Sequence, residues 1–148
     1  MNKKYFLDTN IFLRIIIKED ENSFLECTNL IKLIESGKVI AKTSSIVLSE
    51  VVWTMRSYYK LSKEDVLEAV QSILTLRNLK MIDSYEIEIA LELYRNNNVK
   101  FIDTLIASIP DIKNNKLVII SYDKDFDKLP VKRINPDDAS ITSTGVCT

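Results

Sequence analysis

"YFLDTNIFLR", Tyr5–Arg14, is the stretch on which the reading of this chain turns. Lys3 to Leu7 reads as a short strand, and Asn10 to Ile17 as the helix that follows it. Asp8 sits between them, just where an apolar strand ends. Asp8, Thr9 and Asn10 could simply cap the helix, because their side-chain oxygens accept hydrogen bonds from its first free N–H groups. Alternatively, Asp8 presents a carboxylate at the carboxyl end of a strand, where ligands gather in a parallel sheet. The rest of the chain has to decide between the two.

Outward from this stretch, strands and helices alternate. Phe24, Cys27, Leu30, Ile31 and Ile34 recur at helical spacing within a helix over 23–36, which Gly37 stops. Val39 to Ala41 is a brief strand, and Thr43-Ser44-Ser45 opens a helix through about Tyr59. Ser62 to Asp65 has the form of a capping box, starting a helix that ends near Leu76. Leu79 to Ile82 is strand-like, and Asp83, with Glu86 three residues on, starts a helix that ends in Asn96-Asn97-Asn98. Ile102 to Asn114 is helical, with a kink or early break at Pro110. Leu117 to Ile120 is the clearest buried strand, and Val131 to Ile134 reads as a last edge strand. This alternation predicts an α/β fold, a parallel sheet with helices over both faces. One domain spans 1–136, and the small, polar residues 137–148 are expected to form a loosely held tail.

Composition removes several classes of chemistry. The chain has 148 residues, 46% of them apolar and 28% charged, as in an ordinary soluble domain. No segment approaches the roughly 18 unbroken apolar residues of a membrane span, and the N-terminus does not read as a signal peptide. The expected location is the cytoplasm. There is no histidine, so neither a Ser-His-Asp triad nor an imidazole base is available. Cys27 and Cys147 are the only cysteines, too few for a disulfide framework or a thiolate metal site. Gly37 and Gly145 are the only glycines, which excludes a phosphate-cradling loop. A net charge of −1 gives no long-range pull on nucleic acid, so any such contact needs a local basic patch.

The carboxylates remain. Asp123 follows the strand ending at Ile120 by three residues, with Asp125 two further on, so both fall on the sheet edge that carries Asp8. Glu50 lies within "IVLSEVVWTM", on or beside the apolar face of its helix, where an unpaired carboxylate is costly. Asp103 opens a helix between Phe101-Ile102 and Leu105-Ile106. Each has a plainer role: a cap for Asp8 or Asp103, a turn for Asp123 and Asp125, a lysine partner for Glu50. Together, however, four such carboxylates repel one another unless a cation joins them. An oxygen-only shell suits Mg²⁺ or Mn²⁺, which would also activate water in a chain without histidine.

The ordered set "FLDTNIFLR", "SSIVLSEVVWTM", "ALELYRNNNVKFIDTLIAS" and "VIISYDKDFDKL" resembles the PIN-domain ribonucleases, in particular the VapC toxins of VapBC toxin–antitoxin pairs. The resemblance covers Tyr5 to about Leu129. It implies a three-layer α/β/α sandwich around a central, mostly parallel sheet of four or five strands. It also implies endoribonuclease activity dependent on one or two Mg²⁺ or Mn²⁺ ions, a homodimer, an RNA substrate and a cognate antitoxin. Carried over by position, Asp8, Glu50, Asp103 and Asp123 would form the catalytic, metal-holding set. Asp125 would share the role of Asp123 or support it, and Ser121 stands where the family has threonine. Thr9 and Asn10 also match and would assist through hydrogen bonds.

Asp8, Asp103 and Asp123 would then hold the metal, while Glu50 completes the shell or orients the nucleophile. Arg14, Lys18, Lys124 and Lys128 are candidate contacts for RNA phosphates. Trp53, Met55, Tyr58 and Tyr59 follow Glu50 on one helix; Trp53 is expected in the core, and one of the two tyrosines at an interface. Two alternatives stand beside this reading. One is a Mg²⁺-dependent phosphatase of the haloacid-dehalogenase type, although Asn10 occupies its second aspartate position. The other is a catalytically silent PIN-like binding partner.

Overall fold

The structure, a computed structural model, describes residues 3–139. Strand β1, Lys3–Leu7, buries Tyr5, Phe6 and Leu7 in succession, as a strand covered on both faces must. It is the middle strand of a five-stranded sheet. Strand β2, Val39–Thr43, lies on one side of it and β4, Val118–Ile120, on the other. Strand β3, Leu79–Met81, extends the sheet beyond β2, and β5, Arg133–Ile134, extends it beyond β4. Every pairing is parallel and the order is β3-β2-β1-β4-β5.

Helices fill the crossovers: α1 (Thr9–Ile17) and α2 (Glu21–Glu35) after β1, then α3 (Ser45–Ser57) and α4 (Lys63–Leu74) after β2. After β3 come α5 (Ile87–Asn96), α6 (Phe101–Ala107) and α7 (Pro110–Lys113). Strand order runs outward one way through β2 and β3, then returns across the sheet to β4. Right-handed crossovers taken in opposite directions put helices on opposite faces, giving the α/β/α sandwich. The reversal falls between β1 and β4, so the ends of those two strands flank a switch point, where sheets of this kind bind ligands.

Local signals account for most boundaries. The Ser62 hydroxyl accepts from Asp65 N at 3.1 Å and starts α4. Gly37, with φ of 82°, ends the turn after α2 in a backbone conformation that glycine adopts without strain. Helix α2 starts two residues earlier than its apolar spacing suggests, at Glu21, because Asp20 caps it by accepting from Ser23 N at 3.0 Å. Pro110 does break its helix, and becomes the first residue of α7. Asp83 departs from expectation. Its Oδ1 accepts from Ser45 N and Oγ and from Tyr85 Oη, so it caps α3 across space, and α5 begins only at Ile87.

The core is contributed by both helical layers, with Phe6, Phe12, Ile106 and Phe126 among its fully enclosed side chains. Trp53 is not part of it, being 66% exposed. On α3 the buried residues are Val47, Val51 and Met55, spaced four apart, and Trp53 points away from that stripe. Residues 136–139 form a helical turn that buries Ala139. The rest of the expected tail, 140–148, lies outside the described residues. Among the described residues no helix is long and apolar enough to cross a membrane.

Candidate metal centre

Asp8 is the residue before α1, with extended backbone, and its side chain makes no capping bond. Its backbone N–H bonds instead to Ile120 O at 3.1 Å, tying the end of β1 to the end of β4. The freed carboxylate receives the Ser121 hydroxyl at Oδ2, 2.7 Å away. Ser121 also accepts from Asn10 Nδ2 at 3.2 Å and from Asp123 N at 3.0 Å, while Asn10 Oδ1 accepts from Tyr122 N at 3.2 Å. Asn10 and Ser121 thus lock the loop after β4 onto the start of α1. Thr9 donates to Glu50 Oε1, linking α1 to α3.

Asp123 caps a short 3-10 helix, Lys124–Lys128, through Asp125 N at 2.9 Å. Asp103, the third residue of α6, caps nothing. It is 2% exposed, and its Oδ2 has no hydrogen-bond partner among the described residues. Carboxylate oxygens of Asp103, Asp123 and Asp125 lie within 4.8 Å of one another. Asp8 and Glu50 flank the same field, since both act electrostatically on Asp103 together with Asp123.

Burial pushes Asp8 up to about 6, against the pull of the Ser121 hydrogen bond. Burial likewise pushes Asp103 up to about 7, opposed by Lys100 and reinforced by Asp123, Asp8 and Glu50. Desolvation works against the charge on Lys100. Even so, Asp103, Glu50, Asp123 and Asp8 hold its ammonium above the usual lysine range. These residues fit a hard divalent cation. The donors are all oxygen, one buried carboxylate oxygen is unpartnered, and several negative charges converge where neutralisation by protein is incomplete.

The basic residues named from sequence are more dispersed. Arg14 stacks 5.4 Å over the Tyr122 ring, and Lys18 lies 4.7 Å over that of Phe24. Lys128 pairs with Asp125 at 3.1 Å. Lys124 flanks Asp123 at the start of the 3-10 helix.

Two residues that sequence reasoning passed over belong to the centre. Lys100 Nζ lies 3.8 Å from Glu50 Oε2 and 4.0 Å from Asp123 Oδ2. Its signal was present as a lysine three residues before Asp103, one helical turn away. Arg133 follows Lys132 in the edge segment, and its side chain is 9% exposed. Nε and Nη2 bond to the two oxygens of Asp127, while Nη1 reaches the Ser121 carbonyl at 2.8 Å and Asn135 Oδ1 at 2.9 Å. That fork fixes the loop from which Ser121 and Asp123 project.

Comparison with known proteins agrees with this architecture. The PIN domain family model matches residues 5–132. A VapC ribonuclease of Aquifex aeolicus is 27% identical over 139 residues, covering 90% of this chain and 98% of that protein. The structure is similar to one in a crystal structure of VapBC2 from Rickettsia felis bound to a DNA fragment from their promoter. That match has a TM-score of 0.62 and 25% identity, over 89% of this chain and 98% of the other. PAE2754 from Pyrobaculum aerophilum shares the fold, with a TM-score of 0.66 at 13% identity over 98% of both chains.

Proposed function

For a chain that belongs to the PIN-domain family, we propose metal-dependent endoribonuclease activity as the toxin of a toxin–antitoxin pair, acting in the cytoplasm. The observation that carries this reading is Asp103, which keeps a buried Oδ2 without a hydrogen-bond partner among the described residues and brings a carboxylate oxygen within 4.8 Å of oxygens of Asp123 and Asp125. Asp103 and Asp123 would hold Mg²⁺ or Mn²⁺, with Asp125 and Asp8 completing the set. When bound, the ion supplies activation of water and positive charge against the phosphate. Ser121 keeps Asp8 oriented and Thr9 keeps Glu50 oriented, and Glu50 would complete the metal's shell or orient the attacking water. Position 10 carries an amide, which has no proton to give as an acid, and both its ends bind the loop after β4, so the second aspartate of a haloacid-dehalogenase-type phosphatase has no counterpart there.

The test is incubation of the purified, antitoxin-free protein with total cellular RNA in Mg²⁺ or Mn²⁺, in EDTA, and as Asp103→Asn. The expected result is discrete cuts, mapped by sequencing, that vanish in EDTA and in the variant. RNA left intact by a folded protein under every metal would sink the reading.

Two surfaces suit the partners. Ile87, Leu91 and Tyr94 form an exposed stripe on α5 at helical spacing, continued by Phe101 edge-on to Tyr94 and by Trp53 across a groove from α6. This face joins two copies of the chain. Leu91→Glu is therefore expected to convert a dimer to a monomer in analytical ultracentrifugation; a variant that remained dimeric would place the contact elsewhere. The antitoxin takes a separate groove of about 310 Å³, lined by Phe12, Ile15, Ile16, Ile31 and Ile73 and edged by Asp65 and Glu68. Its chemistry suits an apolar segment with basic flanks.

A further inference from the structure

The acidic centre carries a positive charge of its own. Lys100 precedes the first turn of α6 and stands three residues before Asp103, so one element delivers both the ammonium and the buried carboxylate. The ammonium reaches two other elements, Glu50 on α3 at 3.8 Å and Asp123 after β4 at 4.0 Å. Both distances lie at the outer edge of ion pairing. Elsewhere the lysine pairs are closer, Lys113 to Glu86 at 3.0 Å and Lys128 to Asp125 at 3.1 Å. A cation drawn between two carboxylates yet tightly bonded to neither is held by the field of the cluster rather than by one partner. Its side chain is 57% exposed, which leaves it room to withdraw toward solvent.

Resting on the nuclease reading above, we propose that Lys100 is the resident counter-cation of this centre. It balances Glu50 and Asp123 in the metal-free protein and competes with the divalent ion for the same carboxylates. A lysine acting this way sets a threshold. The ion must displace a tethered positive charge before it can bind, so the centre fills only when free metal is plentiful. It also lets the acidic loop and α3 hold their places before metal arrives.

The test is calorimetric titration of Mn²⁺ into the wild-type protein, Lys100→Met, Lys100→Gln and Lys100→Arg, with circular dichroism confirming that each is folded. Removing the charge is expected to tighten Mn²⁺ binding by about tenfold in both neutral variants. The gain should shrink as salt is raised, because an exposed charge is screened. Lys100→Arg, which keeps the charge, should bind as wild type does. Wild-type binding with the two neutral variants unchanged or weaker would overturn the role of Lys100 alone. Absence of Mn²⁺ binding by every protein would overturn the metal-centre reading on which it rests.

Discussion

Asp103→Asn is expected to lower RNA cleavage by about a thousandfold and, in the same preparation, to stabilise the metal-free protein. The two effects have one cause. Asp103 is 2% exposed, burial pushes its carboxyl up to about 7, and its Oδ2 has no partner among the described residues. Above that pH the ionised group sits in a poorly solvated place near Asp8, Glu50 and Asp123, with Lys100 offsetting only part of the repulsion. Asparagine has nearly the same shape and no charge. At about pH 7.5 the gain should be up to about 4 kcal/mol, a rise of about 10 °C in the unfolding midpoint of a domain this size. A variant that lost activity and also melted lower would mark Asp103 as an ordinary structural residue.

That opposition of stability and function explains why parts of the centre were legible in sequence. Asp8 and Glu50 stand out because each interrupts an apolar pattern that local folding would prefer unbroken. Asp103 was visible too, but its helix-start position suggested a cap, and only the fold shows that its side chain caps nothing. The sheet followed from period and order: a strand buried on both faces, then helices at each crossover.

Long-range partners were less accessible. Asp83 looks local to the helix after it, yet it serves Ser45, 38 residues earlier, because β2 and β3 end side by side. Lys100 reads as one of many surface lysines until Glu50 and Asp123 are brought to it from other elements. Trp53 is a different case, since its signal was there to be used. Val47, Val51 and Met55 already define the inner stripe of α3, and position 53 falls outside it.

The metal-free protein is expected to lose stability as pH rises from about 4 to about 7.5, and Mn²⁺ to reverse that loss. The folded pKa values of Asp8 and Asp103, about 6 and about 7, both stand above the ordinary 3.8. Between those limits the folded state keeps protons that the unfolded chain has released, so raising the pH favours unfolding. The contribution is complete below about pH 4 and is lost as pH passes through 6 and then 7. Asp20, Asp83 and Asp127, held below the usual range by their own partners, act in the opposite direction and only below about pH 4. They are largely exposed, so their effect is small.

A fall of several kcal/mol, at most about 7, is therefore expected across the window in EDTA, with the slope much reduced in Asp103→Asn. A divalent ion requires ionised carboxylates, so its affinity should climb over the same window and level off above about pH 7. Unfolding midpoints from about pH 4.5 to 8.5, in EDTA and in Mn²⁺, separate the two curves. A midpoint in EDTA that rose steadily to pH 8 would mean Asp8 and Asp103 are already ionised in acid, balanced by protein groups alone. The centre would then lack the unmet negative charge that a divalent ion answers.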